Sequence, residues 1–213
     1  MYQPHPSQVL NELFARKPYQ GVPPEEARFL FVGLDANYAA DIEDSPIFPE
    51  ILAYHEDGAA FWREFGLHHP FLLPGYTGDG RRYHRTFAKI GFQPEHAEMV
   101  SFAELLHVPT VGRSSIVPTD LDTSHLTRLR AAVFTGAAEH VFLSAGVVRL
   151  MQATGRFREL GTPRPTAGAL KTLFADSGRT VYLHLHFSNY GKFEAQLQAE
   201  AREIAELIES ASA

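Results

Sequence analysis

Phe29-Leu30-Phe31-Val32-Gly33-Leu34-Asp35-Ala36-Asn37-Tyr38 and Val181-Tyr182-Leu183-His184-Leu185-His186-Phe187-Ser188-Asn189-Tyr190 follow one pattern. Each is a run of aliphatic, β-branched and aromatic residues that breaks into a small-polar turn. An ionisable residue stands at each break. An uninterrupted apolar run of this length suits a strand buried on both faces, as in parallel sheets. Ligands of open α/β sheets bind outside the carboxyl ends of such strands. Asp35 and His186 are therefore expected on one rim, as a carboxylate and imidazole fit for acid/base work.

Working outward, strands are predicted at Arg28 to Val32, Met99 to Phe102, His140 to Leu143 and Thr180 to His186. Helical spacing covers Ser7 to Arg16, Ser45 to Phe65 (with a weak point at Gly58), Arg81 to Ile90, Asp122 to Thr135, Val147 to Thr154 and Lys192 to Ile208. Gly91 is read as a helix stop and Asp122 or Thr123 as a cap. Leu105 to Pro118 reads as irregular, and Pro70 to Gly80 and Gly161 to Gly168 as loops. Strands alternating with helices predict a three-layer α/β/α fold around a four-stranded, mainly parallel sheet. Residues 1–213 are read as one domain, a usual size for a single buried core.

With 45% apolar and 21% charged residues the composition is that of a globular domain. The chain has no cysteine, which excludes disulfides, thiolate nucleophiles and zinc–thiolate sites. The start, Met1-Tyr2-Gln3-Pro4-His5-Pro6, has no signal-peptide pattern, and no apolar stretch approaches a membrane span. A cytoplasmic location, away from membranes, is the expectation, and no segment calls for an obligate protein partner. The net charge of −6 opposes non-specific duplex binding, except at a local basic face of Arg81, Arg82, His84, Arg85 and Lys89.

The order of parts carries a resemblance. A strand ends in Gly33-Leu34-Asp35-Ala36-Asn37-Tyr38, and a Gly-rich loop leads into a basic helix. A second strand runs into Glu104-Leu105-Leu106-His107, a third is Val141-Phe142-Leu143-Ser144-Ala145-Gly146, and the last ends in His186-Phe187-Ser188-Asn189-Tyr190. Over residues 28–208 this resembles the uracil-DNA glycosylase superfamily. The resemblance implies excision of a damaged or deaminated base from DNA, with no metal or organic cofactor. It implies that Asp35 positions water and balances the sugar cation, and that His186 stabilises the departing base. It also implies that Ser188 holds a phosphate, with Asn189 beside it, and that Tyr190 fills the gap left by a flipped nucleotide. Arg81 and Arg82 would meet the DNA backbone.

Such chemistry needs donors and charges placed where charge develops, and a base taken out of the stack. An aromatic floor is then expected, with Phe71 first and Tyr76 second. The base-reading position falls at Ala103 or Glu104. An ionised glutamate only accepts hydrogen bonds, so it would favour a base presenting donors. The sequence departs from the family pattern where Ala36, Phe187 and Asn189 stand for prolines, and where Tyr38 stands for a histidine.

Plainer readings accompany these. Asp35 could cap a turn, His186 could be a satisfied rim histidine, and the arginines could be a solvated helix face. His184 and His186 at i,i+2 could share a metal, but no third ligand has motif spacing. Gly75-Tyr76-Thr77-Gly78-Asp79-Gly80 could cradle a phosphate, although it lacks the lysine of a nucleotide loop. The alternatives to a glycosylase are a nucleic-acid-binding protein of the same fold without catalysis, and a hydrolase or binding protein for small nucleosides.

Overall fold

The computed structural model describes residues 2–112 and 115–212. The strands are β1 (Tyr19–Gly21), β2 (Phe29–Gly33), β3 (Asn37–Tyr38), β4 (Val100–Glu104), β5 (Thr110–Val111), β6 (His140–Ser144), β7 (Arg164–Pro165), β8 (Lys171–Ala175) and β9 (Thr180–His184). The helices are α1 (Gln8–Arg16), α2 (Phe48–Glu56), α3 (Gly58–Phe65), α4 (Arg81–Phe87), α5 (Thr123–Phe134), α6 (Ala145–Ala153) and α7 (Glu194–Ser212).

One sheet runs in the order β1-β4-β2-β6-β9-β8-β7, and β3 pairs with β5 separately. The middle four strands are mutually parallel and are the four expected from sequence. The expectation of a four-stranded, mainly parallel sheet needs correction. The sheet has seven strands and is mixed, because β1 on one edge and β8 and β7 on the other add antiparallel. These edge strands are short or partly exposed, so none makes an apolar run. β8 also carries an irregularity between Thr172 and Phe174 that breaks its alternation.

Both faces of the parallel core are covered, which explains the continuous apolar runs. On one face Leu30, Val32, Val141, Leu143 and Val181 pack with Leu126, Leu129 and Val133 of α5 and Val147 and Met151 of α6. On the other, Phe102, Phe31, Phe142 and Tyr182 form an aromatic row across β4, β2, β6 and β9. Phe31 stacks on Phe142 at 4.6 Å between centroids, and Phe142 on Tyr182 at 5.3 Å. Trp62 of α3, Phe87 of α4 and Ile204 and Ile208 of α7 close this face. A third cluster, with Leu10 and Phe14 of α1, Ile51 of α2, Tyr38 and Phe71, lies beyond the carboxyl ends of the strands.

Local signals fix the helix ends. Ser7 accepts from the Leu10 amide at the start of α1, and Asp122 from the His125 amide at the start of α5. The predicted helix from Ser45 to Phe65 is two helices. Asp57 leaves helical geometry, with φ −142° and ψ 90°, and its carboxylate caps α3 through the Ala60 amide. The basic helix ends at Phe87, short of Gly91. No helix of the described residues is long and apolar enough to cross a membrane.

Candidate active site

Asp35 lies two residues past β2, Glu104 is the last residue of β4, and His186 lies two residues past β9. Parallel pairing brings these strand ends together: Gly33 is in register with Glu104, and Ser144 with His184. Asp35, Glu104 and His186 line one pocket of about 370 Å³, with Phe71 as part of its wall and Ser188 at its edge. That volume falls within the range of small-ligand sites.

Pairing continues past the strand ends and holds Asp35. The amides of Leu105, Leu106 and Thr110 donate to the carbonyls of Gly33, Leu34 and Ala36 at 2.9–3.0 Å. Asn37 Nδ2 donates to Thr110 Oγ1 at 3.0 Å and to the Gly112 carbonyl. The Thr110 hydroxyl, which accepts from Asn37, donates its own proton to Asp35 Oδ2. A short relay therefore aims the carboxylate, with no proline in the turn. Thr110→Val, which keeps the shape and removes the donor, is expected to leave the fold intact and to lower the rate at saturating substrate by about 10-fold. Steady-state kinetics beside a thermal melt checks this, and a variant that only loses stability would make Thr110 structural.

His186 is positioned by its own turn. Both the amide and the side-chain Nδ2 of Asn189 donate to the His186 carbonyl at 2.9 Å. Phe187 is buried against Phe31, Tyr83 and Phe87 and anchors the segment to the aromatic face. Asn189 and Phe187 thus fix the turn that carries His186. The Ser188 amide donates to His186 Nδ1 at 3.3 Å, which assigns the proton of the neutral ring to Nε2. Desolvation by the surrounding protein lowers the His186 pKa below that of ordinary imidazole, against an opposing pull from Asp35. The ring is then neutral at pH 7, with a single N–H to offer.

Glu104 is the acid of the pocket wall whose titration the fold shifts upward. Burial, and secondarily the charge of Asp35, raises its pKa well above the carboxylate range. Its Oε2 is buried with no hydrogen-bond partner. The carboxyl group lies over Gly33, where any Cβ would overlap it, so this glycine makes room for the acid. A neutral carboxyl both donates and accepts. The acceptor-only behaviour expected of an ionised glutamate is thereby disfavoured by burial.

No protein-family model matches the chain, and a search of curated proteins returns no match.

The remaining expected residues divide between two places. Phe71 lines the pocket, whereas Tyr76 stacks behind it at 4.4 Å with its hydroxyl donating to the Asp79 carbonyl. Ala103 is absent from the pocket. The pleat that turns Phe102 and Glu104 to one side turns Ala103 to the opposite core, beside Leu30 and Val32. Arg81, Arg82, Asn189 and Tyr190 line a neighbouring groove that shares Gly80 with the pocket.

Sequence reasoning missed His69, Tyr83 and His84 as wall residues. His69 and His84 stack at 3.5 Å between centroids, and His68 Nε2 lies 3.1 Å from His84 Nδ1. Burial holds all three below ordinary imidazole, with neighbouring histidines adding to this for His69 and His84. The Tyr83 ring lies 5.3 Å from His186. The spacing His69, Phe71, Tyr83, His84 carries no motif, so no local pattern could have united them. His184, considered as a metal ligand with His186, is buried, and its pKa falls to about 3 through burial. Among the described residues no group of three or more His, Asp or Glu is arranged to hold a metal.

Proposed function

We propose that the protein is a DNA base-excision glycosylase that hydrolyses the N-glycosidic bond of a deaminated or damaged base. The observation that carries this reading is that Asp35, His186 and Glu104 share one aromatic-walled pocket, where burial pushes the imidazole pKa down and the Glu104 pKa up. Cleavage of the bond leaves negative charge on the base and oxocarbenium character on the sugar. Asp35 stabilises the cationic sugar and orients the attacking water, held by Thr110 as it is. His186 Nε2–H meets the charge that grows on the leaving base. Phe71, buried and stacked on Tyr76, forms part of the pocket wall rather than an open floor.

Glu104 gives the base a class. Uracil, hypoxanthine and xanthine each present a lactam edge, an N–H beside a C=O. A neutral carboxyl pairs with that edge through two hydrogen bonds, donating to the oxygen and accepting from the N–H. The reading therefore narrows to bases with a lactam edge, a class that holds uracil, hypoxanthine and xanthine and also guanine and thymine. The test is incubation with oligonucleotides bearing uracil, hypoxanthine, xanthine or a thymine mispair, followed by alkaline cleavage of abasic sites. Strand cleavage at a lactam base, abolished in Asp35→Asn, is the expected result. Tight binding of all these strands without cleavage would favour a non-catalytic nucleic-acid-binding protein. Release from free nucleosides alone would favour a small-nucleoside hydrolase.

A further inference from the structure

We propose that the groove between α4 and α7 holds the phosphate backbone of a single nucleic-acid strand continuous with the nucleotide in the pocket. This rests on the glycosylase reading for the pocket, but its own evidence lies outside it. The groove measures about 860 Å³ and is lined by Arg81, Arg82, Arg85, Lys89 and Arg202 against two carboxylates, Asp79 and Glu194. On a chain of net charge −6, this is a local concentration of positive charge. Among the described residues the ion pairs are Arg28–Glu139, Arg63–Glu98 and Arg130–Glu159, so none of these five cations is neutralised by one. Arg81 Nε is, in addition, buried without a hydrogen-bond partner.

Spacing matches a strand. Arg82, Arg85 and Lys89 recur at i, i+3 and i+7 on one side of α4 and its following turn. At 1.5 Å per residue they span about 10 Å, the axial length of about three nucleotides of a stacked strand. The α7 side offers Leu197, Ala201 and Ala205, small or apolar residues that leave room, with Arg202 facing the groove and Glu194 at the start of the helix. At the end nearest the pocket, Tyr190 is 67% exposed with the Arg82 guanidinium 4.4 Å from its ring centre. An aromatic platform at the head of a cationic channel is how single strands are held without sequence preference. A cleft between two helices also suits one strand better than a duplex. Gly80 belongs to both cavities, so a strand in the groove passes directly into the pocket.

The test is fluorescence anisotropy with a labelled single strand of about fifteen thymidines, and with a duplex of the same length, across a salt series. The triple variant Arg85→Ser, Lys89→Ser, Arg202→Ser changes only groove side chains, and an unchanged thermal melt verifies its fold. Single-strand affinity is expected to fall by about 30-fold or more at about 50 mM salt. The slope of log affinity against log salt should shrink by about 2, near 0.7 for each lost phosphate contact. Parental affinity and slope in the variant, or binding of the duplex alone, overturns the proposal. Binding is read without turnover, so failure of base excision leaves this result standing, and excision with no groove effect defeats the groove alone.

Discussion

His186→Ala is expected to slow base release by about 100- to 1000-fold in single turnover, the usual loss when a donor to transition-state charge is removed. Ser188→Ala should act differently. Ser188 edges the pocket and its amide, not its hydroxyl, holds His186 Nδ1, so the alanine variant keeps the ring in place. A phosphate-holding hydroxyl serves ground and transition states alike, and its loss raises KM with little change in the chemical step. The neutral tautomer makes a second, independent claim. Because the pKa of His186 lies below that of ordinary imidazole, the loss of the chemical step on acidification should set in at a lower pH than a free imidazole would give. The rate should fall only when the ring gains a second proton at Nδ1, which would then face the Ser188 N–H. Single-turnover rates at saturating enzyme, followed over pH for parent and both variants, measure these effects. An unimpaired His186→Ala protein would make the terminal turn structural and favour the binding-protein reading.

The parallel core was legible because its strands carry their burial in their composition. Phe29 to Val32 feed both faces of the sheet in alternation, and Val141 to Leu143 do the same. The edge strands carry no such mark, since Arg164–Pro165 and Tyr19–Gly21 gain their places from pairing rather than from apolar content. Asp35 and His186 were visible as ionisable residues at strand ends. Their support was not. Thr110 reaches Asp35 through β5, a two-residue strand within a segment read as irregular. The hold that Phe187 and Asn189 have on the His186 turn was not legible either, because it depends on ring packing and a side-chain hydrogen bond. Ala103 and Glu104 could not be separated in sequence without the register that assigns each a face. The histidine stack depends on three positions that meet only when α4 packs beside the 70–72 turn.

Glu104 is where the sequence reading and the folded environment part most sharply, and the consequence is measurable. In the unfolded chain its carboxyl titrates near the ordinary value of 4.5, whereas burial and Asp35 raise it in the fold. Below the unfolded value both states are neutral and the group costs nothing. Above it the unfolded chain ionises first, so stability falls as pH rises until the folded pKa is passed. Glu104→Gln removes this dependence, so its Tm relative to the parent is expected to rise as the pH is raised toward 8. Function should follow the same ionisation with the same sign. Only the neutral acid donates to a lactam oxygen, so excision of a lactam base should decline as pH rises through the raised pKa. The glutamine amide donates and accepts at every pH, so Glu104→Gln should keep activity and lose the alkaline decline. Glu104→Ala should lose about 100-fold or more in kcat/KM, because the base edge then meets no partner in a desolvated wall. A Glu104→Gln enzyme that is inactive while folded would show that the carboxyl acts as an ionised group, and the lactam assignment would fall with it.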